Sequence, residues 1–116
     1  MAEKPQGAPL RPPRVSLSVP ALYRTVGEER WHKGRTENIS RAGVLLRGIR
    51  LFSQSVKVEI VLTLPAGIVP GAAGEMFFTG TVARLLPPPW SGGLPGIAIA
   101  FEKHRSAGTA DTAPTG

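Results

Sequence analysis

The feature that most constrains the fold of this chain is an alternation of apolar and polar residues with a period of two. The alternation is clearest where five apolar residues occupy every second position, at Val56, Val58, Ile60, Leu62 and Leu64. Shorter segments of the same kind cover residues 15–24, 31–39, 44–47, 76–86 and 96–101. No window carries an apolar stripe at helical spacing with capping residues. Six short strands joined by turns therefore predict an all-β fold, either a small antiparallel barrel or a sandwich.

Proline and glycine divide these segments from one another. Pro20 cannot donate a hydrogen bond to a neighbouring strand, so the first segment is predicted at an edge or a bulge. Residues 65–74 and 87–93 are rich in glycine and proline and are predicted to be loops, the second of which carries Trp90.

The length of 116 residues predicts one domain. Residues 1–10 are predicted to be a flexible segment and residues 105–116 a disordered tail, because both contain few large apolar residues. Between them, residues 11–104 form the predicted domain, in which an arginine-bearing arm precedes the strands. The residues after Phe101 are poor helix formers, so we expect little or no C-terminal helix.

Composition excludes several classes of chemistry. The chain has no cysteine, which excludes disulfides and thiol catalysis. Its histidines, His32 and His104, are far apart in sequence, its one aspartate, Asp111, lies in the tail, and Ser40 has no evident catalytic partner. We therefore expect no enzyme activity, no metal and no cofactor. The chain also lacks an apolar run long enough to span a membrane or serve as a signal peptide, so we expect a cytoplasmic protein without membrane insertion.

The net charge of +6 is confined to residues 1–50, since the remaining residues carry four charges of each sign. Arginine outnumbers lysine eight to two in that half, which favours recognition of phosphate or a base edge, although solubility alone would also account for it. A small basic barrel that binds single-stranded nucleic acid is one alternative. Because no aromatic residues alternate with basic ones along the sequence, nucleic acid ranks last among the partners considered.

The stretch Asn38-Ile39-Ser40-Arg41-Ala42-Gly43 has the most specific pattern in the chain. On extended backbone Asn38 and Ser40 share one face, because side chains alternate with a period of two. The residues that follow predict a tight turn in which Gly43 adopts a backbone shape that other residues rarely take. Together they predict a polar ledge at a strand end, which requires complementary chemistry from the arm.

This pattern resembles the PilZ family of bacterial signalling domains, whose signature combines an RxxxR arm with a later [DN]xSxxG segment. Asn38, Ser40 and Gly43 match the second part fully. In the arm, Arg14 occupies the second arginine position, Leu10 stands at the first, and Arg11 is displaced by one residue. The stretches 80–84 and 96–101 also follow the family layout.

The resemblance implies a six-stranded antiparallel β-barrel that binds the second messenger cyclic di-GMP. It assigns ligand contacts to Arg11, Arg14, Asn38, Ser40 and Gly43. A single domain of this kind would act as a receptor or adaptor, changing its binding to an unidentified effector protein when the nucleotide orders the arm. The displaced arginine leaves a second alternative, a degenerate PilZ-like interaction module that binds no nucleotide.

Overall fold

A computed structural model describes residues 14–106 of the chain. These residues form seven β-strands: β1 (Val15–Ser16), β2 (Pro20–Thr25), β3 (His32–Ser40), β4 (Gly43–Gly48), β5 (Lys57–Val69), β6 (Ala72–Leu86) and β7 (Gly96–Ser106). Within the described range there is no helix that could cross a membrane.

Six of the strands close into an antiparallel barrel. Neighbouring strands follow the order β3–β2–β5–β6–β7–β4, and β4 pairs again with β3 to complete the ring. The additional strand, β1, pairs with the C-terminal end of β3, beyond the residue that pairs with Pro20 at the start of β2. The predicted six-stranded antiparallel barrel is therefore confirmed, with one short strand added.

The first predicted strand is interrupted, and a buried threonine bridges the interruption. Residues 17–19, which lie between β1 and β2 in sequence, have no register partners on β3. Pro20 is the first residue of β2, where its missing N–H removes no ladder bond. The Thr36 hydroxyl accepts a hydrogen bond from the Val19 backbone N–H at 2.9 Å and donates one to the Leu17 carbonyl. The hydroxyl thereby replaces ladder bonds that the interruption removes.

The prediction of a loop over residues 65–74 is wrong, because β5 and β6 continue through it and meet at a turn of Pro70 and Gly71. Glycines with positive φ and a register irregularity between Leu64 and Val69 accommodate the unusual composition. Val69 and Ala72 are 2% exposed and belong to the main apolar cluster. Burial of these two side chains stabilises the pairing of β5 with β6, although the composition of the segment is that of a loop.

The last strand is longer than predicted. It crosses the expected domain boundary at residue 104, and Arg105 and Ser106 pair with β6. The predicted flexible segment 1–10 and the tail beyond Ser106 lie outside the described residues.

The barrel interior is filled by alternate residues of the six strands, with Tyr23 as the largest buried side chain. Two paired glycines make room for its ring: a Cβ at Gly48 would lie 2.4 Å from the Tyr23 hydroxyl, and one at Gly34 would lie 2.9 Å from the ring. The hydroxyl donates to the Arg50 carbonyl at 2.6 Å, which satisfies its buried polar atom. Burial raises the pKa of Tyr23.

Candidate functional site

The segment 38–43 forms the end of the β3–β4 hairpin. Ser40 pairs with Gly43 across a turn of Arg41 and Ala42. The Ser40 hydroxyl is buried and accepts a hydrogen bond from the Ala42 N–H at 3.0 Å, which fixes the turn. The Ala42 carbonyl in turn accepts a hydrogen bond from the Phe101 N–H at 2.9 Å, so the turn is fastened to β7.

Gly43 is needed for a reason other than the one predicted. Its φ lies outside the left-handed region, so the expectation of a special backbone shape at this residue is wrong. A Cβ at Gly43 would instead lie 2.3 Å from the Ile99 carbonyl oxygen, closer than real Cβ contacts allow. The glycine permits β4 to approach β7 at the turn.

The start of the described chain brings Arg14 to the motif. In the β1–β3 ladder Val15 pairs with Ile39 and Ser16 with Asn38. Arg14, one residue before β1, donates a hydrogen bond from Nη1 to the Asn38 Oδ1 at 2.7 Å. One predicted arm residue and the predicted ledge are therefore in contact, whereas Arg11 lies outside the described residues.

An open groove of about 500 Å³, which we call the Arg14 groove, lies beside this contact. Ser40 and Gly43 line it on the hairpin side, and Ala98 and Ala100 of β7 contribute small side chains to its floor. Arg14 and Arg84 are the ionisable residues that line it within residues 14–106. The groove thus carries two positive charges and no lining carboxylate, a composition that suits an anion.

Arg84 was not identified from the sequence. A register shift in the β6–β7 ladder leaves Ala83 unpaired, so that Val82 pairs with Ile99 and Arg84 with Ala98. Both Ala83 and Arg84 line the Arg14 groove. A strict period of two would have assigned them to opposite faces, so only the bulge reveals the position of Arg84.

Neither of the other motif-flanking arginines lines the groove. Arg41 is exposed in the hairpin turn. Arg47 is engaged elsewhere: it donates to Glu37 Oε1 at 2.7 Å and, through Nη1, to the carbonyls of Pro87 at 3.2 Å and Leu94 at 3.3 Å. Its guanidinium fixes the loop between β6 and β7.

The histidines are not part of this site. His32 lies 2.9 Å from Glu28 Oε2, and His104 packs beside the Phe78 ring. Hydrogen bonding with His32 is the main cause of a lowered pKa at Glu28. Within residues 14–106 no group of three or more potential metal-ligating side chains comes together.

The structure does bring aromatic and basic side chains together, although they do not alternate in sequence. The guanidinium carbon of Arg24 lies 4.0 Å from the Trp31 ring centroid, and that of Arg105 lies 4.4 Å from the Phe77 centroid. Trp31 and Phe77 contact each other edge to face at 6.4 Å. Each ring therefore already has a cation over one face, and Arg24 is also paired with Glu59 at 2.8 Å. This arrangement favours a role in covering the outer sheet surface over base stacking.

No family model and no curated protein sequence matches this chain. Solved structures do resemble it, among them the following two. The inhibitor of motility MotI/DgrA of Bacillus subtilis aligns with a TM-score of 0.64 and 12% identity, over 88% of this chain and 46% of that protein. The PilZ domain of CeSA from a cellulose-synthesizing bacterium aligns with a TM-score of 0.54 and 18% identity, over 78% of this chain and 81% of that domain. This chain thus spans less than half the length of the first protein, and at such identities the likeness establishes a PilZ-like fold alone.

Proposed function

We propose that this protein binds cyclic di-GMP and acts as a receptor or adaptor rather than as an enzyme. The observation that carries the proposal is that Arg14, Ser40 and Gly43 line one groove and that Arg14 is hydrogen-bonded to Asn38. This hydrogen bond joins residues that are 24 positions apart in sequence. The PilZ-like fold supports the same assignment.

The charges of the Arg14 groove fit a ligand with two phosphates. Arg14 approaches from the β1–β3 side, whereas Arg84 belongs to β6, and β4 and β7 lie between them. Arg14 uses Nη1 for Asn38, and a guanidinium has five N–H donors, so donors remain for a phosphate or a guanine edge. Arg84 supplies a second guanidinium, which compensates for the displacement of Arg11 in the arm.

The remaining surfaces of the groove fit the rest of such a ligand. Its volume of about 500 Å³ is within the range of roughly 300–1,000 Å³ typical of small-molecule sites. Ala83, Ala98 and Ala100 present only methyl groups, over which a planar base can lie. Ser40 supplies a hydroxyl next to this floor, and Asn38 holds Arg14, which also lines the groove.

The adaptor role follows from the position of Arg14 at the junction between the arm and the barrel. A nucleotide held by Arg14, Arg84 and Ser40 would connect the arm to two strands of the barrel wall, β3 and β6. Binding would thereby reduce the conformations open to the arm and change the surface offered to an effector protein.

A second candidate function, an interaction module that binds no nucleotide, is favoured by a different observation. Each motif residue has a structural partner of its own: Asn38 binds Arg14, Ser40 caps the Ala42 N–H, and Gly43 avoids the Ile99 carbonyl. The motif could therefore be retained for the hairpin alone.

Calorimetric titration of the full chain with cyclic di-GMP distinguishes the two functions. GMP and a single-stranded oligonucleotide serve as comparison ligands. We expect heat with the cyclic dinucleotide only. Arg14→Ala should weaken binding by about 1.5–3 kcal/mol, the range for hydrogen bonds to charged groups. Arg84→Ala should weaken it similarly, and Arg41→Ala is the matched control because Arg41 is exposed outside the groove.

Two outcomes would reject the receptor proposal. One is the absence of heat with cyclic di-GMP at high micromolar concentration, and the other is an affinity unchanged by Arg14→Ala. Leu10→Arg tests the arm separately, because it restores the family spacing to Arg14. Tighter binding by this variant would show that the displacement of Arg11 weakens the site.

A further inference from the structure

A second groove, which we call the Trp90 groove, lies on the outer surface beside β3 and has a volume of about 460 Å³. Ser18, Arg35 and Glu37 line one side, and Trp90 and Leu94 of the β6–β7 loop line the other. It shares no lining residue with the Arg14 groove. Its function is therefore a separate question from nucleotide binding.

Trp90 is exposed although the loop that carries it is well fixed. The side chain of this residue belongs to no core cluster and the residue is 68% exposed. The Gly93 N–H donates to the Trp90 carbonyl at 2.9 Å, and Gly92 has a φ of 86°, so the residues after Trp90 form a tight turn. Three prolines precede Trp90 and restrict the backbone on that side. The indole is thus presented by a loop with little conformational freedom to lose on binding.

The base of the loop is fastened to the barrel by the hydrogen bonds of Arg47. This one guanidinium holds the carbonyls of Pro87 and Leu94, at the two ends of the loop. Glu37 holds Arg47 in place, and the Gly48 N–H donates to the Pro95 carbonyl at 3.3 Å. The groove is therefore formed before any partner arrives, which lowers the entropic cost of association.

The charge of the groove is positive after internal pairing. Glu37 and Arg47 neutralise each other at 2.7 Å. Within residues 14–106 no carboxylate neutralises Arg35, which donates hydrogen bonds to the hydroxyl and carbonyl oxygens of Ser18 at 2.8 and 3.3 Å. Lys33, two residues earlier on the same strand, is also exposed. Trp90 beside a cation that has no acidic partner in the described part of the chain complements an apolar side chain next to a carboxylate.

We infer that the Trp90 groove binds a short extended segment of a partner protein, with a large apolar side chain packed against Trp90 and an adjacent Asp or Glu paired with Arg35. Rigid, exposed tryptophans are characteristic anchors of protein interfaces. The concave shape favours a peptide over a membrane surface, which requires a protruding anchor. Because Glu37 and Arg47 neutralise each other, Arg35 is the one lining cation within residues 14–106 left to attract an anion, and a nucleic-acid backbone requires several.

Selection from a displayed library of random dodecapeptides on the folded full chain, without nucleotide, tests this inference. The enriched peptides should share a large apolar residue next to Asp or Glu. Trp90→Ala and Arg35→Glu should each weaken the binding of an enriched peptide by about tenfold or more. The control variants are Leu85→Ala and Arg30→Glu, which change exposed residues outside the groove and should leave the affinity unchanged. Thermal melts establish that every variant is folded.

Several results would overturn the inference. They are a selection without enriched peptides, enriched peptides that lack acidic residues, and an affinity that Trp90→Ala does not change. If light scattering shows a dimer that is lost in Trp90→Ala, the groove binds a second copy of the chain instead. Binding of phosphatidylserine vesicles or of an oligonucleotide that depends on Trp90 would assign it to those partners instead. Because no nucleotide is present, none of these outcomes bears on the cyclic di-GMP proposal.

Discussion

The Arg14 groove and the Trp90 groove both involve the β3–β4 hairpin, yet they use arginine in opposite ways. Arg14 is exposed and, within residues 14–106, donates one hydrogen bond, to Asn38. Arg47 is mostly buried and donates to a carboxylate and two backbone carbonyls. The Arg14 guanidinium has N–H donors available for a ligand, whereas the Arg47 guanidinium already uses its donors in hydrogen bonds within the protein.

The comparison shows that residue type and proximity to a motif do not identify a ligand-binding arginine. Arg47 is only four residues from Gly43, whereas Arg84 is far from the motif in sequence. The hydrogen bonds that each guanidinium already makes decide which of them can bind phosphate. The same comparison leads to four predictions, ordered from the largest expected effect to the smallest.

The largest effect is expected from Gly43→Val, because a Cβ at this position would lie 2.3 Å from the Ile99 carbonyl oxygen. Both groups belong to the backbone of paired strands, so neither moves easily, and unfolding should become easier by about 3 kcal/mol or more. Denaturant unfolding measures the change. Gly93→Ala in the Trp90 groove is the control, since its nearest atoms are 3.2 Å away. Equal stability of the two variants would show that β4 and β7 are not tightly apposed at Gly43.

A crossed pair of variants tests the two arginines directly. Arg47→Ala should lower the free energy of unfolding by about 2 kcal/mol, because it removes hydrogen bonds of a charged group. Its affinity for cyclic di-GMP should stay within about twofold of the unmodified protein, a change below 0.5 kcal/mol. Arg14→Ala should do the reverse, with stability changed by less than about 0.5 kcal/mol, as for most surface substitutions. Loss of both properties in either variant would contradict the division of roles.

An intermediate effect is expected from Thr36→Val, which keeps the shape but leaves the Val19 N–H without its acceptor. We expect a loss of about 1–2 kcal/mol in the free energy of unfolding. Thr79→Val is the matched control, because the Thr79 hydroxyl is buried without a hydrogen-bond partner in the described part of the chain. Removing that hydroxyl should be neutral or stabilising. If Thr36→Val and Thr79→Val lower the free energy of unfolding equally, Thr36 does not bridge the interruption between β1 and β2.

The smallest effect is a pH dependence outside both grooves. Hydrogen bonding with His32 lowers the pKa of Glu28 in the folded protein. The ionised Glu28 therefore stabilises the folded protein fully above the ordinary glutamate pKa of about 4.3. This stabilisation is lost as the pH falls through the lowered pKa of Glu28 in the folded protein. Glu28→Gln should make the melting temperature fall less steeply between about pH 5 and pH 3 than it does in the unmodified protein.

Glu75→Gln, at an exposed position of β6, is the control for the pH experiment. Neither groove is lined by Glu28, so the affinity for nucleotide at neutral pH should be unchanged in Glu28→Gln. Parallel melting curves of Glu28→Gln and the unmodified protein would contradict the assignment.

The barrel could be predicted from the sequence because inward-facing residues alternate along nearly every strand. The prediction failed where tertiary contacts outweigh local composition. Residues 65–74 have the composition of a loop, but burial of Val69 and Ala72 keeps them paired. The interruption at residues 17–19 depends on the Thr36 hydroxyl, whose partners are far away in sequence.

The candidate site was predictable only in part. Arg14 and the segment from Asn38 to Gly43 could be named because their spacing carries a recognisable pattern. Arg84 could not, because its place in the groove depends on one unpaired residue in the β6–β7 ladder. The binding roles of Asn38, Ser40 and Gly43 remain predictions, and Arg11 lies outside the described residues.

The shortness of β1 has a consequence for how binding could be detected. This strand has two register pairs with β3, and no other strand of the described chain pairs with it. Segments held so weakly open locally at a small free-energy cost, long before the barrel unfolds. The backbone amides of Val15 and Ser16 should therefore exchange with solvent deuterium far faster than those of β6. A ligand that bridges Arg14 to the barrel would slow that exchange, so β1 would report occupancy without a label.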